Sequence, residues 1–321
     1  MLYVLIIILG ILFAAELLYF RIADHFNIID KPNLRSSHSH ITLRGGGIIF
    51  YIGMLLYAAF YGMQYPWFLM GLTLITGISF MDDVRPVPNR YRLACHFVAM
   101  LLMCYQWGLF TEYSVWYIPV ALIFCTGVIN AYNFMDGING ITGGYSLVVL
   151  GVLAFINAKM VPFMNSEFIY IALLSVLVFN FFNFRKRAKC FAGDVGSVSI
   201  AFIILFILGK LILVTGNLSY IILLAVYGVD SVLTIVHRLV LRENIFEAHR
   251  KHAYQLMANE LKIPHVAVSI FYMVLQVVIT MVYLLLPDSH WTYFVFVLVL
   301  LSIGYVLFMR RYFALHRIVS A

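Results

Sequence analysis

Eleven long apolar runs, separated by short polar gaps, decide what this chain can become. They lie at residues 2–20, 46–63, 66–81, 93–110, 114–131, 141–158, 166–184, 195–214, 218–238, 265–286 and 291–309. A membrane-crossing helix takes about 20 apolar residues. Runs of this length and density therefore describe an all-α, polytopic integral membrane protein with about ten to eleven transmembrane helices. Charge agrees: 11% of the residues are charged and 64% hydrophobic, against about 25% charged in a soluble domain. The short gaps make residues 1–321 one transmembrane domain. Met1 to Phe20 has neither a basic start nor a small-residue cleavage site, so it reads as the first span.

The basic residues set the expected orientation. All 21 lysines and arginines except Lys159 and Lys210 fall after odd-numbered runs or in the tail. The positive-inside rule places that side in the cytoplasm, with the N-terminus outside and the C-terminus inside. The net charge of +7 is then topological and suited to anionic lipid and phosphate; it does not imply nucleic acid. Cys95, Cys104, Cys125 and Cys190 form no CxxC or Cys/His pattern.

Four polar islands share the basic side. The first is Asp82-Asp83, an acidic pair at a helix end, where one carboxylate can bind a cation and the other accept a proton. A solvated, acid-capped helix end explains it equally well. The second runs from Asn130 to Gly140. Asn130, Asn133 and Asp136 recur at i, i+3 and i+6, which on a helix is one face, and Gly137 and Gly140 allow close approach of a ligand. Helix capping would account for the glycines but not for the amides before them. The third is Phe191-Ala192-Gly193-Asp194-Val195-Gly196-Ser197. Asp194 offers a hard oxygen, and the helix start beyond it offers free N–H groups; an ordinary N-cap is the plain alternative. The fourth, Arg242 to Gln255, contains His249, Arg250 and His252, a compact cationic cluster able to hold a diphosphate. Headgroup anchoring is its simpler explanation.

Two features stand apart. Asp230 lies within the ninth run, where an acid is a functional candidate by default; pairing with His237 or Arg238 is the alternative. The first loop, Asp30 to His40, leads into Arg44-Gly45-Gly46-Gly47, which either meets a lipid phosphate or only enforces topology.

Taken in order, Asp82-Asp83, Asn130–Gly140, Gly193-Asp194-Val195-Gly196-Ser197 and Ala248–Gln255 resemble the motifs of the polyprenyl-phosphate N-acetylhexosamine-1-phosphate transferase family. The fourth is most similar to that of O-antigen and capsule initiators. The resemblance implies a multi-pass enzyme of the bacterial cytoplasmic membrane that uses Mg2+, with Mn2+ as an alternative. Its implied substrates are a UDP-N-acetylhexosamine such as UDP-GlcNAc and undecaprenyl phosphate; a homodimer is compatible with it.

By the same resemblance Asp194 is a metal ligand, helped by Asn183 or by its competitor Asn180. Phe191 stacks on uracil, Asn133 and Asp136 contact the nucleotide, and His249, Arg250 and His252 grip the diphosphate and sugar. Asp82, with Asp83 beside it, deprotonates or positions the lipid phosphate. Two departures stand out: Asn139 occupies a position where many relatives carry aspartate, and Arg187 replaces a proline. A UbiA-like prenyltransferase would need spaced third acids that this chain lacks. A transporter would place its polar groups at the midplane and not at one face.

Overall fold

The computed structural model describes residues 2–32, 37, 40–244, 249–286, 289–312 and 314–315. Residues 33–36, 38 and 39 of the first loop, residues 245–248 of the fourth island and Arg317 lie outside the described residues.

Each of the eleven runs is helical. In chain order come α1 (Leu2–His25), a small hairpin of β1 (Ile29–Asp30) and β2 (Thr42–Leu43), α2 (Ile48–Tyr61), α3 (Pro66–Val84) and α4 (Asn89–Gln106). Then follow α5 (Tyr117–Met135), α6 (Ile141–Lys159), α7 (Ser166–Asn183) and α8 (Gly193–Thr215). A 3-10 segment (Leu218–Leu224) runs into α9 (Ala225–Val240), and a short α10 (Ala253–Gln255) precedes α11 (His265–Leu285) and α12 (His290–Tyr312).

Among the described residues nine segments are long and apolar enough to cross a membrane, the 3-10 segment and α9 counting as one. The two exceptions have physical reasons. The 14 residues of α2 rise only about 21 Å at 1.5 Å each, because the glycine loop before it and Gly62 after it cut the helix short. α4 begins with Arg90 and Arg92 in its first turn.

The bundle is organised around α8. Every described residue from Val195 to Leu208 is buried, as expected for a helix that is apolar on all sides. It packs against α2, α3, α5 and α6. Between membrane helices the hydrophobic effect supplies little attraction, so small residues and hydrogen bonds set the contacts. Thr76 and Ser199 pair their hydroxyls at 2.8 Å, and Trp107 Nε1 donates to the Phe206 carbonyl at 3.2 Å. Gly47, at the start of α2, faces Gly196 of α8 so closely that a Cβ on either would overlap the other backbone. α12 lies at the periphery, with Val295, Phe296, Val299, Leu300, Ile303, Val306 and Leu307 exposed, as a lipid-facing surface requires.

The hairpin was not legible as sheet. Ile29 pairs with Leu43 and Asp30 with Thr42, antiparallel, and Leu43 also bridges to Cys190 beside the third island. The Phe191 N–H donates to the Leu43 carbonyl at 2.8 Å, and the Gly46 and Gly47 N–H groups donate to the carbonyls of Phe191 and Ala192 at 2.9 and 3.1 Å. The first loop is thereby stitched to the loop that begins α8.

The Gly47–Gly196 contact is open to test. Gly47→Ala is expected to cost about 1–3 kcal/mol through overpacking, read as a lower melting temperature in detergent. Gly77→Ala, where nothing lies within 4 Å of the added methyl, should leave melting unchanged or raise it. Equal behaviour of the two variants would contradict this packing.

Candidate active site

The first N–H groups of a helix have no partners within it and carry partial positive charge. At α8 they are met by an acid from another helix. Asp83, at the end of α3, accepts from Asp194 N at 3.0 Å through Oδ1 and from Val195 N at 2.9 Å through Oδ2. Gly193 makes this approach possible: its φ is +72°, and a side chain there would strike the Asp83 carboxylate.

Two arginines bind the three aspartates into one network. Arg44 Nε lies 2.7 Å from Asp83 Oδ1, and its Nη2 3.5 Å from Asp194 Oδ1. Arg92 Nη1 lies 2.7 Å from Asp82 Oδ2, and its Nη2 3.0 Å from Asp194 Oδ2. The other oxygen of Asp82 accepts from Val87 N at 2.7 Å, which folds the turn after α3. Tyr19 of α1 holds Arg44 in place, donating to its carbonyl at 2.6 Å. Three carboxylates against two guanidinium groups leave one negative charge in excess. The network therefore suits a cation or, if the arginines turn outward, an anionic phosphate.

The second island joins this network from α5. Ser197 Oγ donates to Asn133 Oδ1 at 3.0 Å, and Thr142 Oγ1 donates to Asp136 Oδ1 at 2.6 Å. The expected helical stripe stops early. Asp136 lies past the last turn of α5, at φ −81° and ψ 60°, and Asn130 is exposed. The glycines also serve differently from the expectation, because protein groups fill the space beside them. Gly137 lies against Tyr254, and Gly140, at φ +84°, lies against Phe184. Asn139 has a reason to differ from aspartate: its Nδ2 donates to the carbonyls of Arg185 and Lys186 at 2.9 and 3.2 Å, which a carboxylate cannot do.

Asn183 connects two loops. Its Oδ1 accepts from Gly140 N at 2.7 Å and its Nδ2 donates to the Cys190 carbonyl at 2.8 Å. The loop carrying Asp136 is thus tied to the loop carrying Asp194. Asn180, one turn earlier, has a side chain whose buried polar atoms carry no hydrogen bond among the described residues. Phe191, half-buried, holds the same loop by its backbone.

The fourth island reaches the second through Tyr254, whose hydroxyl donates to the Phe134 carbonyl at 2.8 Å. The rings of His249 and His252 lie 5.1 Å apart, and each lies about 6 Å from Phe134 (6.2 and 6.1 Å). The cluster is less cationic than its composition implies. Burial, reinforced by the charges of His252, Arg238 and Lys251, pushes His249 down to about 3, so its ring is neutral near pH 7. Arg250 pairs with Glu260 at 3.1 Å, and Lys251 with Glu243. Asp230 takes neither partner expected for it. It binds His252 and the backbone of α10, while Arg238 pairs with Glu243 at 3.2 Å and donates to the Asn244 carbonyl.

All four islands therefore meet along one end of the bundle, joined by the two candidates outside them, Arg44 and Asp230, and by Arg92, which was read only as topological charge. Among the described residues no three His, Cys, Asp or Glu side chains converge as a complete metal cage. The donor chemistry still fits Mg2+, which keeps several waters and takes one or two carboxylates together with substrate phosphates.

Asp136 gives the site a pH signature. Burial, helped by the charges of Asp194 and Asp83 and opposed by Thr142, raises its carboxyl from 3.8 to about 7. Between those values the folded protein holds a proton that the unfolded chain releases. This group therefore makes folding less favourable as pH rises from about 4 to about 7, with no further change above. Asp136→Asn should accordingly melt higher relative to wild type at pH about 7.5 than at pH about 4.5. Parallel melting curves across that range would contradict the buried carboxyl.

Comparison with known proteins points the same way. Residues 65–212, which carry Asp82, Asp83, Asn133, Asp136 and Asp194, match the family model Glycosyl transferase family 4. The chain is 25% identical, over 74% of its length and 72% of the relative, to a probable undecaprenyl-phosphate N-acetylglucosaminyl 1-phosphate transferase of Bacillus subtilis (strain 168). It is 24% identical, over 80% of its length and 75% of the relative, to an undecaprenyl-phosphate alpha-N-acetylglucosaminyl 1-phosphate transferase of Yersinia pestis. A phospho-N-acetylmuramoyl-pentapeptide-transferase of Petrotoga mobilis is 25% identical over 53% of this chain and 61% of its own. The matched segment, a little under half of the chain, is similar to glycosyl transferase family 4 and runs through the helices that carry Asp82, Asp83, Arg92 and Asp194.

Proposed function

We propose that this protein transfers an N-acetylhexosamine-1-phosphate from a UDP-sugar to undecaprenyl phosphate, at the cytoplasmic face of the bacterial membrane. The observation that supports it most is the joining of Asp82, Asp83 and Asp194 by Arg44 and Arg92 at the N-terminus of α8. Such a site handles two phosphate-bearing anions. The names of the Bacillus and Yersinia relatives support undecaprenyl phosphate as the lipid acceptor and favour GlcNAc. The similarity of the histidine motif to that of O-antigen and capsule initiators favours a product that begins a surface glycan. The bias of lysine and arginine favours a cytoplasmic site and C-terminus, in one transferase domain over residues 1–321.

In this reaction an oxygen of the lipid phosphate bonds to the sugar-linked phosphorus. The bond from that phosphorus to the bridging oxygen breaks, and UMP leaves with the electron pair. Position and charge neutralisation carry such a step. Asp194 would hold Mg2+, or Mn2+ in its place, which supplies charge neutralisation on the diphosphate when bound. Asp82 holds one end of Arg92 and so positions the lipid phosphate. That phosphate is already ionised at neutral pH, and no strong base is needed. Asp83 organises the α8 terminus and Arg44. Phe191 stacks on uracil, Asn133 and Asp136 contact the nucleotide, and His249, Arg250 and His252 receive the diphosphate and sugar. Asn183 contributes by keeping the Asp136 and Asp194 loops in register.

Purified protein should release UMP from UDP-GlcNAc, or from another UDP-N-acetylhexosamine, only when undecaprenyl phosphate is present. Asp194→Asn should lower that rate by about 100-fold or more, the scale for losing a main electrostatic group. UMP release at the wild-type rate in this variant removes Asp194 from the site.

A further inference from the structure

Asp230 is a buried acid in α9, 4% exposed, and an ionised carboxylate there needs a full set of donors. It has them. Oδ1 accepts from Ala253 N at 3.0 Å and Thr234 Oγ1 at 3.2 Å, and Oδ2 accepts from the Tyr272 hydroxyl at 2.6 Å and Tyr254 N at 3.4 Å. The remaining contact is His252 Nδ1, 3.3 Å from Oδ1. Two of these partners are backbone N–H groups, which can only donate, so the carboxyl serves as an acceptor. The hydrogen in the His252 contact consequently lies on Nδ1.

Fixing Nδ1 fixes the other ring nitrogen. His252 is 1% exposed, and its Nε2 is buried with no hydrogen-bond partner among the described residues. The ring packs beside both Phe134 and His249, where the fourth island meets the second. A polar atom fully buried and left without a partner costs about 1–3 kcal/mol, and one fixed beside a candidate site points to a ligand.

We propose that Asp230 is a positioning residue for the transfer reaction, holding His252 so that Nε2 hydrogen-bonds the diphosphate of the nucleotide sugar. The proposal rests on the phosphosugar-transfer reading above. Asp230 itself does not reach substrate, because both of its oxygens are occupied inside the protein. As an imidazolium, His252 donates through Nε2–H to an anionic phosphate oxygen while Asp230 balances its charge from behind. No bond to hydrogen is made or broken. Asparagine at 230 cannot balance the charge of that ring and can donate to Nδ1 of a neutral one, so the charge-assisted contact with the phosphate is lost.

The test is a double-mutant cycle read by UMP release and by melting. Asp230→Asn and His252→Ala should each lower kcat about 30–100-fold, the range for losing the orienting partner of a functional histidine, with KM for the UDP-sugar within about threefold. The double variant should fall no more than about threefold below the weaker single. Tyr272→Phe removes a donor from the same carboxylate but leaves the His252 contact, so it should lower the melting temperature and keep kcat within about threefold. Multiplying losses in the cycle, or an equal kcat loss in Tyr272→Phe, overturns the proposal. Nitrogen-15 spectroscopy of histidine-labelled wild-type protein, with His252→Ala assigning the signal, needs no folded Asp230 variant. A proton on Nδ1 supports the proposal, and a neutral ring protonated only at Nε2 overturns it. Wild-type protein that releases no UMP overturns the phosphosugar reading and this proposal with it. An active wild type with an equally active Asp230→Asn overturns the proposal alone.

Discussion

The carboxylate of Asp83 on the first N–H groups of α8 is the contact on which the rest of the site depends. One acid from α3 satisfies donors that a helix cannot satisfy itself, and it also accepts the Arg44 guanidinium that crosses to Asp194. Because α8 is buried on every side, its N-terminus has little freedom to move. The groups attached there inherit a fixed geometry. That suits a reaction in which position and electrostatics carry most of the work.

A second layer of contacts holds the loops around this point. Tyr19 fixes Arg44, and the hairpin strand β2 pairs with the Cys190–Phe191 backbone. Asn183 joins the Asp136 loop to the Asp194 loop, and Tyr254 carries the histidine segment onto Phe134. Each link joins segments far apart in the chain, and almost all are hydrogen bonds and not apolar contacts. In a membrane protein that division is expected, since lipid offers apolar surface as readily as a neighbouring helix does.

How much of this the amino-acid sequence disclosed follows from which forces leave a local pattern. The helices were legible because hydropathy is a local property, and all eleven runs are helical. The polar islands were legible for the same reason. Arg92 was visible only as topological charge, and Arg44 as that or as a contact for a lipid phosphate; their carboxylate partners lie up to 150 residues away and left no local sign. Asp230 stood out as a buried acid, but nothing local marked His252 as its partner. The hairpin at Ile29 and Thr42 is too short to show an alternating pattern. His249 looked cationic by residue type, and only the fold shows that burial keeps it neutral. Asn139 shows the converse: a departure from the family pattern becomes intelligible once its two carbonyl partners are located.

The central claim is that a sugar and its phosphate move together from nucleotide to lipid. A UDP-N-acetylhexosamine labelled with phosphorus-32 in the sugar-linked phosphate tests it directly, with wild-type protein and undecaprenyl phosphate. The account predicts label in the organic-extractable lipid and unlabelled UMP in the aqueous phase. Label retained in aqueous UDP while the sugar alone enters the lipid would contradict it.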